Sequence, residues 1–392
     1  MSVTAASAAG PPALAAIPAR TRHESVDFLR GLVMVLMALD HVRDHLHLNA
    51  FFIDPTDLAT TTPATFMTRW VTHFCAPVFV FLAGTSAFLT GTRRTRGDLS
   101  RFLLTRGLWL VLLEITIIHV EWTMSWNPAQ LFAQVIWALG WSMVVLAALV
   151  WLPLPAIAAF GWGMIVLHNL ADGMQLGWLW SVLHISGPTM LFGKAPFMIM
   201  YPLVPWIGVM AAGYAFGAWL QRHAHERRRL IMGLGLGLTA AFVVIRAINL
   251  YGDPHPWAPQ KDAVFTVLSF LRCEKYPPSL LFLLMTLGPS LILLAAVDRG
   301  VPRLLRWMTV FGRVPLFYYM VHLALIDLLT VGLAIASFGP RTPEIFAKGP
   351  PRDWGYGLPV VYAAWVAVVA ALYPVCRWYA GVRPRSRLLS HL

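Results

Sequence analysis

The densest run of side chains able to do chemistry lies near the start of the chain: Asp27 and Arg30, an apolar stretch, then Asp40, His41, Asp44, His45 and His47. On a helix, residues three or four apart share a face. Asp27, Arg30, Met34, Met37 and His41 therefore form one line, and at 1.5 Å per residue the stretch from Arg30 to His41 covers roughly 16 Å. A cation at one end of such a stripe and an imidazole at the other suit a long ligand with an anionic head and a reactive far end. A neutral imidazole has its pKa near 7 and serves as a general base when a partner orients its second nitrogen. Asp44, three residues on, is the better-placed local partner for His41; Asp40 is adjacent in sequence and points elsewhere. His322, Asp327 and Glu114 are candidates from other helices. The bland account of the same stripe is a helix cap at Asp27, lipid phosphate at Arg30 and an interfacial histidine at His41. His41 and His45 have the i, i+4 spacing that holds zinc, but the HExxH glutamate and an assigned third ligand are lacking, so no metal is expected.

These residues must be positioned by membrane helices. The chain has 392 residues, 58% hydrophobic and 12% charged, against about one quarter charged in average globular domains. A soluble fold of this length has too little interior for so much apolar surface. About ten segments meet the length a bilayer core requires: 27–47, 71–91, 102–121, 130–151, 154–171, 197–219, 230–250, 278–297, 308–336 and 358–379. The expected fold is an all-α polytopic transmembrane bundle of about ten spans. An interfacial or re-entrant piece at 172–196 is the feature that would make eleven. Residues 1–22 read as a disordered cytoplasmic tail, 23–380 as one transmembrane domain and 381–392 as a basic cytoplasmic tail. The Ala- and Pro-rich start lacks the basic n-region of a signal peptide.

Lys plus Arg number 30 against 18 Asp plus Glu. The bases fall in short clusters between apolar runs, which is a topology signal and not a nucleic-acid surface. Arg93, Arg94, Arg96, Arg101 and Arg106, then Arg222 with Arg227 to Arg229, alternate with loops of mixed sign, and this predicts cytoplasmic termini. Ionisable residues inside spans are expensive and are functional candidates by default. His73, Glu114, Arg246, His322 and Asp327 all fall toward the outer half in this topology, together with Asp40 and His41. One polar site near the outer leaflet would account for them. Gly84, Gly91, Gly213 and Gly217 suit close helix packing.

Several motifs run in order along the chain. They are Ser25-Val-Asp-Phe-Leu-Arg-Gly31 through Met37-Ala-Leu-Asp-His41, His73-Phe-Cys-Ala-Pro-Val-Phe-Val-Phe-Leu-Ala-Gly84, Tyr201-Pro-Leu-Val-Pro-Trp-Ile-Gly208, Lys275-Tyr-Pro-Pro-Ser279, Thr286-Leu-Gly-Pro289 and Phe311-Gly-Arg-Val-Pro-Leu-Phe-Tyr-Tyr-Met-Val-His322. Together they resemble the bacterial branch of the heparan-α-glucosaminide N-acetyltransferase catalytic-domain family. The resemblance implies a bundle of ten or eleven helices and transfer of an acetyl group from cytosolic acetyl-CoA to an acceptor across the membrane. It also implies a multi-pass protein of the bacterial inner membrane. The lysosomal member uses a histidine of its first outer loop, so His41, His45 and His47 compete for that role here. Asp40 falls where that enzyme has an amide residue.

The stripe fits such chemistry. Acetyl transfer needs positioning, a base for the acceptor and donors to the thioester oxyanion. Arg30, with Asp27 beside it, and the inner arginines would meet CoA phosphates, and the pantetheine arm would follow Met34 and Met37. His41, supported by Asp44 or Asp40, would act as base or as transient acetyl carrier; His73 and His322 would shape the outer site. The implied partners are acetyl-CoA, a carbohydrate or glycolipid acceptor and the lipid bilayer, with a homodimer left open. The rival reading is a proton-coupled transporter of a small solute, which also places His, Asp, Glu and Arg inside helices.

Overall fold

A computed structural model describes residues 23–382 apart from 49, 51, 126, 128–130, 193–194 and 347–349. The expected tail 1–22 and residues 383–392 of the expected C-terminal tail lie outside the described residues. The first half comprises α1 (Glu24–Leu46), α2 (Pro63–Thr72), α3 (Cys75–Gly91), α4 (Arg96–Leu113), a π-helical turn (Glu114–Ile118), α5 (His119–Thr123), β1 (Leu131–Ala133), α6 (Val135–Leu149) and α7 (Leu154–Leu167). Next come α8 (Trp178–Leu183), β2 (Gly187–Leu191), β3 (Ala195–Ile199), α9 (Trp206–Phe216), α10 (Ala224–Ile248), α11 (Ala263–Leu271) and α12 (Leu280–Val297). The chain closes with α13 (Thr309–Arg313), α14 (Pro315–Phe338), α15 (Thr342–Phe346) and α16 (Leu358–Val382).

Helix occupies each of the ten apolar segments. Among the described residues, seven helical stretches are long and apolar enough to cross a membrane, and Val135–Leu149 is a shorter apolar helix. Helix starts are written locally. The hydroxyls of Thr62, Thr95 and Ser279 and the carboxylate of Asp262 each accept a backbone N–H of the first turn that follows, a type of cap that typically contributes about 1 kcal/mol.

α1 is the centre of the bundle. It packs against α3, α12, α13, α14 and α16, and residues on every face of it are buried. Two glycine contacts set its neighbours. A Cβ on Gly31 would lie 1.9 Å from the Met308 carbonyl oxygen, and one on Gly312 would lie 1.8 Å from that of Asp27. Backbone thus touches backbone where α1 meets α13. α3 and α9 meet in the same way, since a Cβ on Gly84 or Gly213 would fall 2.0 Å from a carbonyl oxygen of the other helix.

The 172–196 stretch departs from an all-helical chain. It holds α8 and most of a hairpin, and β3 pairs antiparallel with β2 and parallel with β1. Strands of three to five residues carry too little alternation to read as strands against an apolar background.

Candidate functional site

A cavity of about 1150 Å³ runs along α1. Ordinary small-molecule pockets span about 300–1,000 Å³, so this one has room for a long ligand. Its walls include Asp27, Arg30, Met37, Asp40 and His41 from α1. One end is basic, with Arg93, Arg94, Arg106, Arg222 and Arg313 on its wall. The other end holds Thr72, Lys275, Tyr201 and Tyr319 beside Asp40 and His41. Arg30 and His41 therefore line one continuous space, a distance of roughly 16 Å apart along the helix.

His41 is buried at the far end, and its Nδ1 lies 2.7 Å from His322 Nε2. His322 Nδ1 is 3.0 Å from the Tyr318 carbonyl oxygen. A carbonyl only accepts, so His322 donates from Nδ1 and its neutral ring presents a lone pair at Nε2. His41 then donates from Nδ1, which leaves its own Nε2 as the basic nitrogen. The edges of Trp122 and Tyr319 meet the His41 ring at centroid distances of 4.9 and 6.1 Å. Trp122 Nε1 donates to the Tyr319 hydroxyl at 3.3 Å, so the Tyr319 proton is left to point elsewhere.

Asp40 accepts from Arg69 at 2.6 Å, from Thr72 Oγ1 at 2.8 Å and from Arg43 at 3.0 Å. Lys275 Nζ stands 4.0 Å away. Asp40 thus faces three cations, one of which, Arg43, is shared with Asp44, and positive charge remains in surplus at the His41 end of the cavity. Burial opposes ionisation of the Tyr276 phenol, but Lys275 and Arg69 outweigh it and hold that group below its usual value.

The other sequence candidates are placed as follows. Asp44 pairs with Arg43, half turned to solvent, and does not orient His41. The orienting group comes from α14 instead, because α1 turns His41 toward that helix. His45 has both ring nitrogens engaged, Nδ1 with the His41 carbonyl oxygen at 2.8 Å and Nε2 with Asp327 at 3.2 Å. His47 sits past the end of α1, in a bridge with Tyr356. Met37 is on the cavity wall, whereas Met34 is wholly buried in the core. Arg30 donates to Ser86 Oγ at 2.6 Å and to the Gly312 carbonyl oxygen at 3.2 Å, and stands 3.7 Å from Asp27.

A single outer cluster of all the intramembrane polar groups does not form. Arg246 donates to the carbonyl oxygens of His255, Ser269, Phe270 and Arg272 and so fastens the loop before α12. Glu114, in the π-helical turn, accepts the Gln134 N–H at 2.5 Å, one residue behind the cavity wall. His73 is buried against Phe282, with Nδ1 unpartnered.

Arg69, Tyr319 and Lys275 join this candidate site without having stood out in the sequence. Arg69 is the lone charge of α2, and Lys275 and Tyr319 stand inside quoted motifs. None of the three is marked by local spacing, because they converge from three distant stretches.

Among curated proteins none matches the sequence. The family model described as "Heparan-alpha-glucosaminide N-acetyltransferase, catalytic" matches residues 22–247. That span holds α1, the Arg93–Arg106 cluster and the Asp40–Arg69 pair, while Lys275, Tyr319 and His322 lie beyond it. With more than half its length matched, the chain belongs to the heparan-α-glucosaminide N-acetyltransferase catalytic family.

Proposed function

We propose that the protein moves an acetyl group from cytosolic acetyl-CoA to an amine or hydroxyl of a sugar or glycolipid on the outer side of a bacterial inner membrane. The observation that carries this reading is the single cavity with arginines at one end and His41 at the other. In the accompanying topology the chain crosses ten times with both termini cytoplasmic. The Arg93–Arg94 and Arg222 turns then face the cytosol, in keeping with the positive-inside rule.

The nucleotide phosphates of CoA would sit among Arg93, Arg94, Arg106, Arg222 and Arg313, where guanidinium groups match phosphate geometry. The pantetheine arm would pass Arg30 and Met37, bringing the thioester to His41. In direct transfer, the acceptor N–H or O–H gives its proton to His41 Nε2 as the acceptor attacks the thioester carbonyl. The C–S bond breaks, and the CoA thiolate takes the proton back from His41. Lys275 and the Tyr319 hydroxyl would meet the carbonyl oxygen as negative charge develops there. In two-step transfer, His41 Nε2 attacks the thioester carbonyl and the C–S bond breaks to release the CoA thiolate; the acceptor then attacks the acetyl-imidazole, the N–C bond to His41 breaks, and the acceptor proton goes to the thiolate.

General base catalysis contributes about 10²–10⁴-fold. His41→Ala is therefore expected to lower transfer of labelled acetyl from acetyl-CoA by at least about 100-fold, while the variant elutes from size exclusion as the wild type does. Retained turnover in that variant would reject His41 as the reacting group. A transporter would bind no acetyl-CoA, so failure of acetyl-CoA to raise the unfolding midpoint would reject the acyltransferase reading itself.

A further inference from the structure

Away from the cavity, His168, Asp172 and His184 come together at the end of α7. One ligand-type atom from each lies within 4.8 Å of the other two. His184 Nε2 is hydrogen-bonded to Asp172 Oδ1 at 3.0 Å, and a tetrahedral ion with bonds of roughly 2.0–2.2 Å would take the place of that proton with the two atoms about 3.3–3.6 Å apart. The two imidazoles meet edge to face at a centroid distance of 5.5 Å.

Hydrogen bonding leaves this group incomplete. His168 is 6% exposed and His184 2% exposed. Neither ring nitrogen of His168 has a partner, and His184 Nδ1 has none. A buried imidazole nitrogen without a partner is destabilising, and three of them stand here side by side, two on His168 and one on His184. The carboxylate is already braced for a ligand. Asn169 Nδ2 donates to Asp172 Oδ2 at 2.9 Å, and Asn169 Oδ1 accepts the Leu280 N–H at 2.9 Å. Such outer hydrogen bonds orient metal ligands.

We propose that His168, Asp172 and His184 bind a divalent transition ion of the zinc type. Two imidazoles and one carboxylate are a borderline donor set that suits zinc over calcium or magnesium. Three protein ligands leave the fourth position to water. The ion would join the end of α7 to α8 and the strands after it, and through Asn169 to the start of α12. The sequence signature is His-x3-Asp followed by His after eleven further residues. It bears no relation to the His41–His45 pair, on which the expectation of no metal rests.

The test uses full-length protein in detergent, free of any histidine tag, stripped with chelator and then dialysed against zinc. The expected result is about one zinc per chain by mass spectrometry and an unfolding midpoint raised by roughly 5 °C over the stripped protein, with both effects lost in His168→Ala and in Asp172→Asn. Should those variants fail to fold, cobalt added to stripped wild type is expected to give the visible bands of a four-coordinate nitrogen–oxygen site, competed away by zinc. No metal retained and no shift in midpoint would overturn the proposal. Equal zinc uptake by a folded variant, or no cobalt spectrum, would do the same.

Discussion

At the scale of residues, the site turns on proton positions. His322 takes its tautomer from the Tyr318 carbonyl, and His41 takes its own from His322. The partner of His41 is thus another imidazole and not a carboxylate. His322→Phe removes the acceptor for His41 Nδ1–H and is expected to lower kcat about 10–100-fold, with KM for acetyl-CoA little changed. His322→Gln keeps an acceptor oxygen near the same place and is expected to stay within about tenfold of wild type. Equal losses in the two variants, measured by steady-state acetyl transfer, would show that His322 only fills space. His41 was legible in the sequence because an ionisable residue in an apolar helix stands out. Its partner was harder to name, since helical spacing fixes which face His41 shares and not which helix that face meets.

At the scale of elements, the cavity exists because α1 is held away from some neighbours and pressed against others. The press on α1 is the Gly31–Gly312 contact with α13, and the Gly84–Gly213 contact holds α3 against α9 in the same way. Gly312→Ala puts a methyl group 1.8 Å from the Asp27 carbonyl oxygen, so α13 must retreat from the part of α1 that carries Arg30. Overpacking of this kind costs about 1–3 kcal/mol. The expected outcome is a lowered unfolding midpoint in detergent together with weakened acetyl-CoA binding. Gly163→Ala, where a Cβ meets nothing within 4 Å, is the matched control and should unfold as the wild type does. An unchanged midpoint for Gly312→Ala would contradict the close contact. Sequence periodicity located the helices well, because apolar runs of membrane length are hard to mistake. It did not separate Met34 from Met37: both lie near the Arg30–His41 line, and only the neighbouring helices decide which of them is covered.

At the scale of the whole molecule, the arrangement is a passage with a different chemistry at each end. Arginines line one end, and at the other an imidazole stands near Arg69, Arg43 and Lys275 and the carboxylates of Asp40 and Asp44. The charge clusters on which the topology expectation rests also line the basic end of the cavity, and their positions could be read along the chain although their convergence could not. The far end was less legible, since Arg69 reaches Asp40 from 29 positions away in another helix, and Lys275 and Tyr319 come from far later in the chain. The most direct measurement is a structure with an unreactive acetyl-CoA analogue in which a methylene replaces the thioester sulfur. The expected result is the nucleotide among Arg93, Arg94 and Arg222, the arm threaded past Arg30 and Met37, and the carbonyl carbon within reach of His41 Nε2. An analogue bound with its arm outside the cavity, or with its carbonyl remote from His41, would contradict it.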